Sequence, residues 1–338
     1  MKLHTFKGSR YNIGCQLGRT FQESVQAGCR DVLNEPPPMS SSDRIQSLLV
    51  AHKLIEHELP DVMTELRGIA DGAQVRVMDL ILSLYEDLWD SEDFETGCTD
   101  IAANQVGSLN NELLMGHNND EGCEAPSPVL LRMEPDDGPV VTGVALGGVG
   151  LSVGCNGHGL VLTGNQLSAT DVKPGIPRIL LVRAALDRMS IPEAQAVLLH
   201  PLRASSYNNI LGDAFGRVVS IEGSGKAYRV MAPTQQGILT HTNHYLHPGM
   251  ERVEGKGDMA STTLREQRSC TLMEGMSGRH TVQSFQRILR DHVGYPDSIC
   301  RHSDDTVTGF SVIWEAERRT LWYAKGHPCK AVYQSLPY

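Results

Sequence analysis

Aromatic side chains are scarce in this sequence, with 6 Phe and 3 Trp among 338 residues. Leu, Val, Ile and Met must therefore fill most of the core, and at 40% hydrophobic the chain has enough of them for one large domain or two ordinary ones. No run of basic residues occurs and the net charge is −10. That excludes nucleic acid as the main partner, because phosphate binding needs concentrated Lys and Arg. No apolar stretch approaches the length of a membrane span. The opening Met1-Lys2-Leu3-His4-Thr5-Phe6-Lys7-Gly8 lacks the continuous apolar segment of a secretory leader. There are 8 cysteines, but no CxxC pair and no zinc-ribbon spacing among them. The expectation is a cytoplasmic protein with reduced thiols, no bound metal or cofactor, no membrane partner, and an oligomeric state left open. In such a compartment a cysteine is of more interest as a nucleophile than as half of a disulfide.

The texture of the chain changes once, near Cys98. Residues 1–97 read as mostly helical. An amphipathic segment runs from 11 to about 33, Pro36-Pro37-Pro38 breaks it, and Ser40-Ser41-Ser42-Asp43 is a strong N-cap cluster for a helix over 44–59. Pro60 restarts the pattern, Met63, Leu66 and Ile69 form a helical stripe, and 77–88 reads as one more helix. Beyond Cys98, short apolar runs at 101–103, 113–115, 129–133, 140–146 and 160–163 are separated by Gly, Asn and Asp, the pattern of antiparallel strands. Two helices follow at 176–189 and 192–199. Strands then return at 205–211, 217–222, 228–231 and 237–240, helices at 261–274 and 281–292, and a hairpin at 306–315 and 320–324. Paired helices alternating with grouped strands fit two sheets covered on their outer faces better than a βαβ alternation.

The chemistry centres on Thr96-Gly97-Cys98-Thr99-Asp100 and Met115-Gly116-His117-Asn118-Asn119-Asp120. A lone cysteine is most often a small buried hydrophobe. Here Gly97 permits an unusual backbone or a close approach, and polar residues flank the thiol at the point where the texture changes. A strained Gly–Cys bond beside a thiol can undergo N-to-S acyl shift and hydrolysis, which would make Cys98 a new N-terminus. The freed α-amine, with an unperturbed pKa of ~7.7–8.0, can act as base for its own thiol.

These motifs resemble the isopenicillin N acyltransferase-like family of N-terminal-nucleophile cysteine hydrolases, distant relatives of the choloylglycine hydrolases. The resemblance rests on Gly8-Ser9-Arg10-Tyr11-Asn12-Ile13-Gly14, Glu65-Leu66-Arg67-Gly68-Ile69-Ala70-Asp71-Gly72-Ala73, Gly97-Cys98-Thr99 and Gly116-His117-Asn118-Asn119-Asp120. It continues through Asn156-Gly157-His158-Gly159-Leu160, Thr242-Asn243-His244-Tyr245 and Ser298-Ile299-Cys300-Arg301, in order along nearly the whole chain. It implies an α+β fold, an αββα four-layer sandwich. It also implies cleavage before Cys98 into chains 1–97 and 98–338 that share one integrated domain, and amide hydrolysis or acyl transfer through a thioester. Carried over residue by residue, Cys98 matches the nucleophile, Asp120 the aspartate that holds the new amine, and Asn243 the oxyanion-hole asparagine. Arg301 matches an arginine near the nucleophile, with Arg265 competing for that place. Asn156 matches the asparagine of the family's N-x-x-G-L turn, although Asn-Gly is a hairpin signal by itself. His117, Thr99, His244 and Tyr245 are candidate substrate contacts, His117 standing where the choloylglycine branch tends to carry arginine.

Two other patterns compete. Gly150-Leu151-Ser152-Val153-Gly154 satisfies G-x-S-x-G, but a serine-nucleophile elbow needs a helix after the turn, and another strand is expected there. His241, His244 and His247 recur with a period that suits neither a strand face nor the i, i+4 spacing of a zinc helix, so they read as a polar loop. The reading that results is a self-processing cysteine amidohydrolase or acyltransferase for a small non-peptide amide or acyl donor, with its own cleaved N-terminal chain as partner. The alternatives are a non-catalytic binding module that keeps the fold, and a serine esterase using Ser152.

Overall fold

The structure is a computed structural model that describes residues 1–35, 39–88, 97–255 and 259–338. The expected break at Pro36-Pro37-Pro38, and Thr96 ahead of the cysteine, lie outside these residues.

The first element is a strand that sequence reading missed, β1 (Leu3–Gly8). Five helices follow: α1 (Arg10–Thr20), α2 (Gln22–Asn34), α3 (Ser41–Glu58), α4 (Pro60–Ala73) and α5 (Val77–Ser83). The single amphipathic segment expected over 11–33 is two helices, divided at Phe21, whose backbone leaves the helical region. Ser40 caps α3 as expected, its side chain accepting from the Asp43 N–H. Next come β2 (Gly97–Ala103), β3 (Leu114–Gly122), β4 (Pro128–Pro135), β5 (Val141–Leu146), β6 (Leu151–Asn156) and β7 (Val161–Asn165). Helices α6 (Arg178–Ala185) and α7 (Ile191–Leu198) precede β8 (Asn208–Gly212), β9 (Val218–Gly223), β10 (Tyr228–Met231) and β11 (Ile238–His241). The chain ends with α8 (Ala260–Glu274), α9 (Val282–Leu289), β12 (Thr306–Glu315), β13 (Thr320–Lys325) and β14 (Gln334–Pro337).

These strands form an eight-stranded sheet in the order β1-β4-β5-β6-β7-β8-β9-β10 and a six-stranded sheet in the order β11-β2-β3-β12-β13-β14. Among the described residues, all of these pairings are antiparallel except β1 with β4, which is parallel. Strand alternation sorts the apolar residues into three layers. On β4, Leu131 and Met133 join a core shared with α1 to α7, while Leu130 turns inward. Between the sheets, Leu130, Val144, Val153, Val161 and Ile210 meet Ala102, Met115, Phe310, Val312 and Trp314. Beyond the second sheet, Ile101, Leu114 and Ile313 pack on Met273 of α8 and on Phe285, Ile288 and Leu289 of α9. The result is the αββα sandwich that the sequence resemblance implied.

The N-terminal segment is not a detachable cap. Besides β1, it contributes the face on which α1 and α4 cross backbone to backbone. Gly14 and Gly18 of α1 lie against Gly68 and Gly72 of α4, and a Cβ on any of the four would collide with a carbonyl of the opposing helix. A buried ion network ties this pair to later elements. Arg183 of α6 holds Glu65 of α4 and Asp187, each at 2.8 Å, and Arg10 of α1 holds Asp187 at 2.7 Å and Asp137 at 2.8 Å. Among the described residues, no helix is long and apolar enough to cross a membrane.

Two Gly→Ala substitutions separate helix propensity from this close packing. Gly68→Ala should destabilise by about 1–3 kcal/mol or more through overpacking. Gly28→Ala in α2, where an added Cβ meets nothing within 4 Å, should stabilise by about 0.5–1 kcal/mol. Urea unfolding of the two variants checks both signs.

Candidate active site

The site is built on the β2–β3 ladder. Gly97 pairs with Asp120, Cys98 with Asn119 and Asp100 with His117. Alternation turns Cys98, Asp100, Asn119 and His117 toward the space between the sheets, where the His117 ring lies 5.7 Å from that of Phe310. It turns Thr99, Asn118 and Asp120 toward the α8 and α9 layer. The Cys98 residue is 9% exposed, and its Sγ contacts Asn119 Oδ1 at 3.7 Å.

His117 and Asp100 form a wholly buried pair, Nδ1 to Oδ1, at 3.1 Å. Burial alone would push the imidazole toward its neutral form. The Asp100 carboxylate and the Cys98 thiol outweigh this and hold its pKa well above the ordinary value. The Cys98 thiol goes up as well, because burial outweighs the hydrogen bond from His117. The arrangement is thus a neutral thiol beside an imidazolium that a carboxylate orients.

On the other face, Asp120 accepts from Thr308 Oγ1 at 2.6 Å through Oδ1, while its buried Oδ2 has no hydrogen-bond partner. Burial raises its pKa against the opposing pull of Arg265, Thr308 and Arg301. A Cβ at position 97 would sit about 3.1–3.3 Å from Arg265 Nη2, Arg301 Nη1 and Asp120 Oδ2 together. Glycine is what lets these three groups converge on the bond before Cys98. Arg265, on α8, donates to the Cys98 carbonyl at 2.6 Å, to Thr99 Oγ1 at 3.2 Å and to Asn243 Oδ1 at 2.9 Å.

Asn243 uses its groups in the sense opposite to expectation. Its Oδ1 accepts from the Cys98 backbone N–H at 2.8 Å, and its Nδ2 donates to the Gln166 carbonyl at 3.1 Å. Both partners of Oδ1 can only donate, so the network fixes which end is oxygen. In the intact chain Asn243 therefore holds the nitrogen of Cys98 through its oxygen, and one of its two amide hydrogens is taken by the Gln166 carbonyl.

The family model for acyl-coenzyme A:6-aminopenicillanic acid acyl-transferase matches residues 108–330, more than half of the chain. The chain belongs to this family. It is 26% identical over 220 residues to the beta-alanyl-dopamine/carcinine hydrolase of Drosophila melanogaster, a match that covers 57% of this chain and 55% of that protein. The chain thus spans about half the length of that relative. Among solved structures it is similar to a mutant form of conjugated bile acid hydrolase from Clostridium perfringens, with a TM-score of 0.47 and 12% identity over 71% of this chain and 97% of that one. Penicillin V acylase from Agrobacterium tumefaciens gives a TM-score of 0.48 and 14% identity over 68% and 83%.

Within this acyltransferase-family fold several expected site residues have other duties. Asn156 is a turn residue: Nδ2 donates to the Leu186 and Arg188 carbonyls, and Oδ1 accepts from His158 and Leu160 N–H groups, so no valence is left for substrate. The Tyr245 hydroxyl donates to the Gly223 carbonyl, and its ring packs with Leu167 and Met250. Thr99 is fully buried and serves Arg265, and His117 serves the thiol, so neither is placed to line a substrate surface. His244 is half-buried against Thr262 Oγ1 at 2.9 Å. Both arginines reach Gly97, but Arg265 also holds the Cys98 carbonyl by a short bond, which moves it from competitor to principal. Ser152 lies on β6, which leads by a turn into β7 with no helix, so the serine elbow is absent there. Sequence reading missed Asp100 as the orienter of His117; its i, i+2 relation to Cys98 on a strand was the available signal. It also missed buried Asn165, next to Gln166, whose Nδ2 has no partner.

The His117–Asp100 pair sets a pH signature. A pKa raised on folding stabilises fully below the unfolded value of about 6.5, and that contribution is lost as pH rises through the folded value. Asp100→Asn should cost about 3–5 kcal/mol near pH 6, where a buried imidazolium loses its partner. The penalty should shrink toward alkaline pH, and urea titrations of wild type and variant across that range test this.

Proposed function

We propose that this chain is a self-processing amidohydrolase or acyltransferase with Cys98 as its N-terminal nucleophile. The observation that carries the reading is the convergence on the Gly97–Cys98 segment: Asn243 on the nitrogen of Cys98, Arg265 on the Cys98 carbonyl of the following peptide, and Asp120 and Arg301 against Gly97. The family match begins after Cys98, so the nucleophile rests on this geometry and on the motif Gly97-Cys98-Thr99.

In the intact chain the Cys98 nitrogen is an amide and cannot act as base. The Cys98 thiol gives its proton to solvent, and the imidazolium of His117, held by Asp100, stabilises the thiolate; the sulfur attacks the Gly97 carbonyl carbon, and the C–N bond breaks as the nitrogen receives the imidazolium proton. Water then hydrolyses the thioester, leaving the Gly97 carboxylate and a free thiol. The new amine, protonated by the proton that hydrolysis releases, keeps Asn243 Oδ1 as acceptor, and the unpartnered Asp120 Oδ2 lies beside Gly97. In turnover this amine, with a pKa near ~7.7–8.0 before its carboxylate neighbour acts on it, relays the proton between sulfur and the departing amine of the substrate. With the Asn243 oxygen committed to nitrogen, the unpartnered Nδ2 of Asn165 joins the remaining N–H of Asn243 as a side-chain donor to test at the oxyanion.

Chains 1–97 and 98–338 would remain together, since β1 is a strand of the larger sheet and the Arg10 and Arg183 ion network joins the two. The family name speaks of acyl transfer between acyl-coenzyme A and 6-aminopenicillanic acid and the Drosophila relative's name of a beta-alanyl amine, and an N-acylated small amine, hydrolysed or exchanged at the thioester, is the substrate class proposed here.

Intact mass under denaturing conditions tests the processing. Wild type should give two fragments divided before Cys98, and Cys98→Ala one full-length chain; an undivided wild type removes the α-amine and with it this mechanism. Because burial raises the thiol pKa, the thiolate is a minor species at neutral pH. Conversion of freshly made precursor should therefore accelerate about tenfold per unit between about pH 6 and 8. A rate that is flat over that range would contradict a neutral thiol beside a charged His117.

A further inference from the structure

A second cluster of ligand-type side chains lies at the far side of the Arg301 segment. His292 follows α9, His302 precedes β12, and Cys329 lies between β13 and β14, so three separate loops supply it. One ring nitrogen of each histidine and the cysteine sulfur all fall within 4.8 Å of one another. The two Nε2 atoms face each other at 3.0 Å. Donors around a tetrahedral zinc stand roughly 3.3–3.8 Å apart, given bonds of about 2.0 Å to nitrogen and 2.3 Å to sulfur. The two Nε2 atoms stand slightly closer than that and the sulfur lies within 4.8 Å, so small side-chain rotations bring the three donors to it.

Other features support a cation here. Two imidazole nitrogens at this distance either share one proton or direct two lone pairs at a common acceptor. The His327 ring, 5.2 Å from that of His302, has a buried Nδ1 without a partner and holds the Arg301 backbone through its other interaction. Cys300 lies against Cys329, and both are free thiols. A thiolate with two imidazoles selects a borderline or soft ion and disfavours calcium or magnesium.

We propose that His292, His302 and Cys329 form a zinc site with a fourth position open, and that the ion fastens the segment carrying Arg301. Binding displaces the thiol proton of Cys329 to solvent and changes no oxidation state. Through His302 the ion restrains the backbone next to Arg301, whose N–H is held by Thr308 Oγ1 at 2.9 Å, the same hydroxyl that donates to Asp120. The site does not depend on how Cys98 is used.

The test uses the purified full chain, reduced and stripped with chelator, then titrated with Co²⁺ and Zn²⁺ alone. One ion per chain is expected, with a near-ultraviolet sulfur-to-cobalt charge-transfer band that zinc abolishes and a melting temperature that zinc raises. Cys329→Ser should remove the band, and His292→Ala should weaken binding at least about tenfold, while circular dichroism confirms that both variants fold. Absence of stoichiometric binding, or binding unchanged by both substitutions, overturns the proposal. So does recovery of Cys300 and Cys329 as a disulfide from protein kept with zinc, because Cys329 would then be no ligand.

Discussion

The pairing of β2 with β3 determines which groups can meet at Cys98. Because side chains alternate along a strand, the sulfur and the backbone nitrogen of one residue address two different layers. The sulfur shares the inter-sheet face with Asn119, His117 and Asp100. The nitrogen and the preceding glycine are reached by Asp120, Arg265, Arg301 and Asn243. A slip of one residue would exchange these sets and put the thiol among the arginines. The apolar remainder of both strands, Ile101 with Leu114 outward and Ala102 with Met115 inward, opposes such a slip by burying each residue in its own core.

Holding so many ionisable groups in a dry place is costly, and the structure distributes the cost unevenly. His117 and Asp100 are paired, as are Arg183 and Glu65, and His241 and Glu222. Around Gly97 the balance is incomplete, with Asp120 Oδ2 and Arg301 Nε both buried without partners. Unsatisfied buried polar atoms of this kind concentrate where a structure is arranged for another species. In the processing proposed above, an ammonium at Cys98 would give the carboxylate a counter-charge and so favour the cleaved form over the intact one.

Much of the fold was legible because its signals are local. The helix over 44–59 was announced by Ser40, the hairpin of β12 and β13 by two apolar runs, and the two-sheet arrangement by the order of textures. β1 and β14 escaped because their burial patterns, mostly exposed, carry no clean alternation. Their strand state comes from partners far along the chain. The division at Phe21 was invisible for a similar reason: the apolar stripe continues through it, and only packing against β1, where its ring meets His4 and Phe6, explains the turn.

For the candidate site, the sequence by itself marked the thiol, the glycine before it, the carboxylate of Asp120 and the family, since each is written in a contiguous motif. Tertiary structure decided what each group contacts. It placed Arg265 on the Cys98 carbonyl, turned the Asn243 oxygen to nitrogen, withdrew Asn156 and Tyr245 into structural bonds, and set Asp100 behind His117. It also brought His292, His302 and Cys329 together from three loops with no recognisable spacing. The physical reason is common to all of these. A motif specifies which functional groups are available, whereas strand register, helix packing and the satisfaction of buried donors and acceptors decide which atom each group can reach.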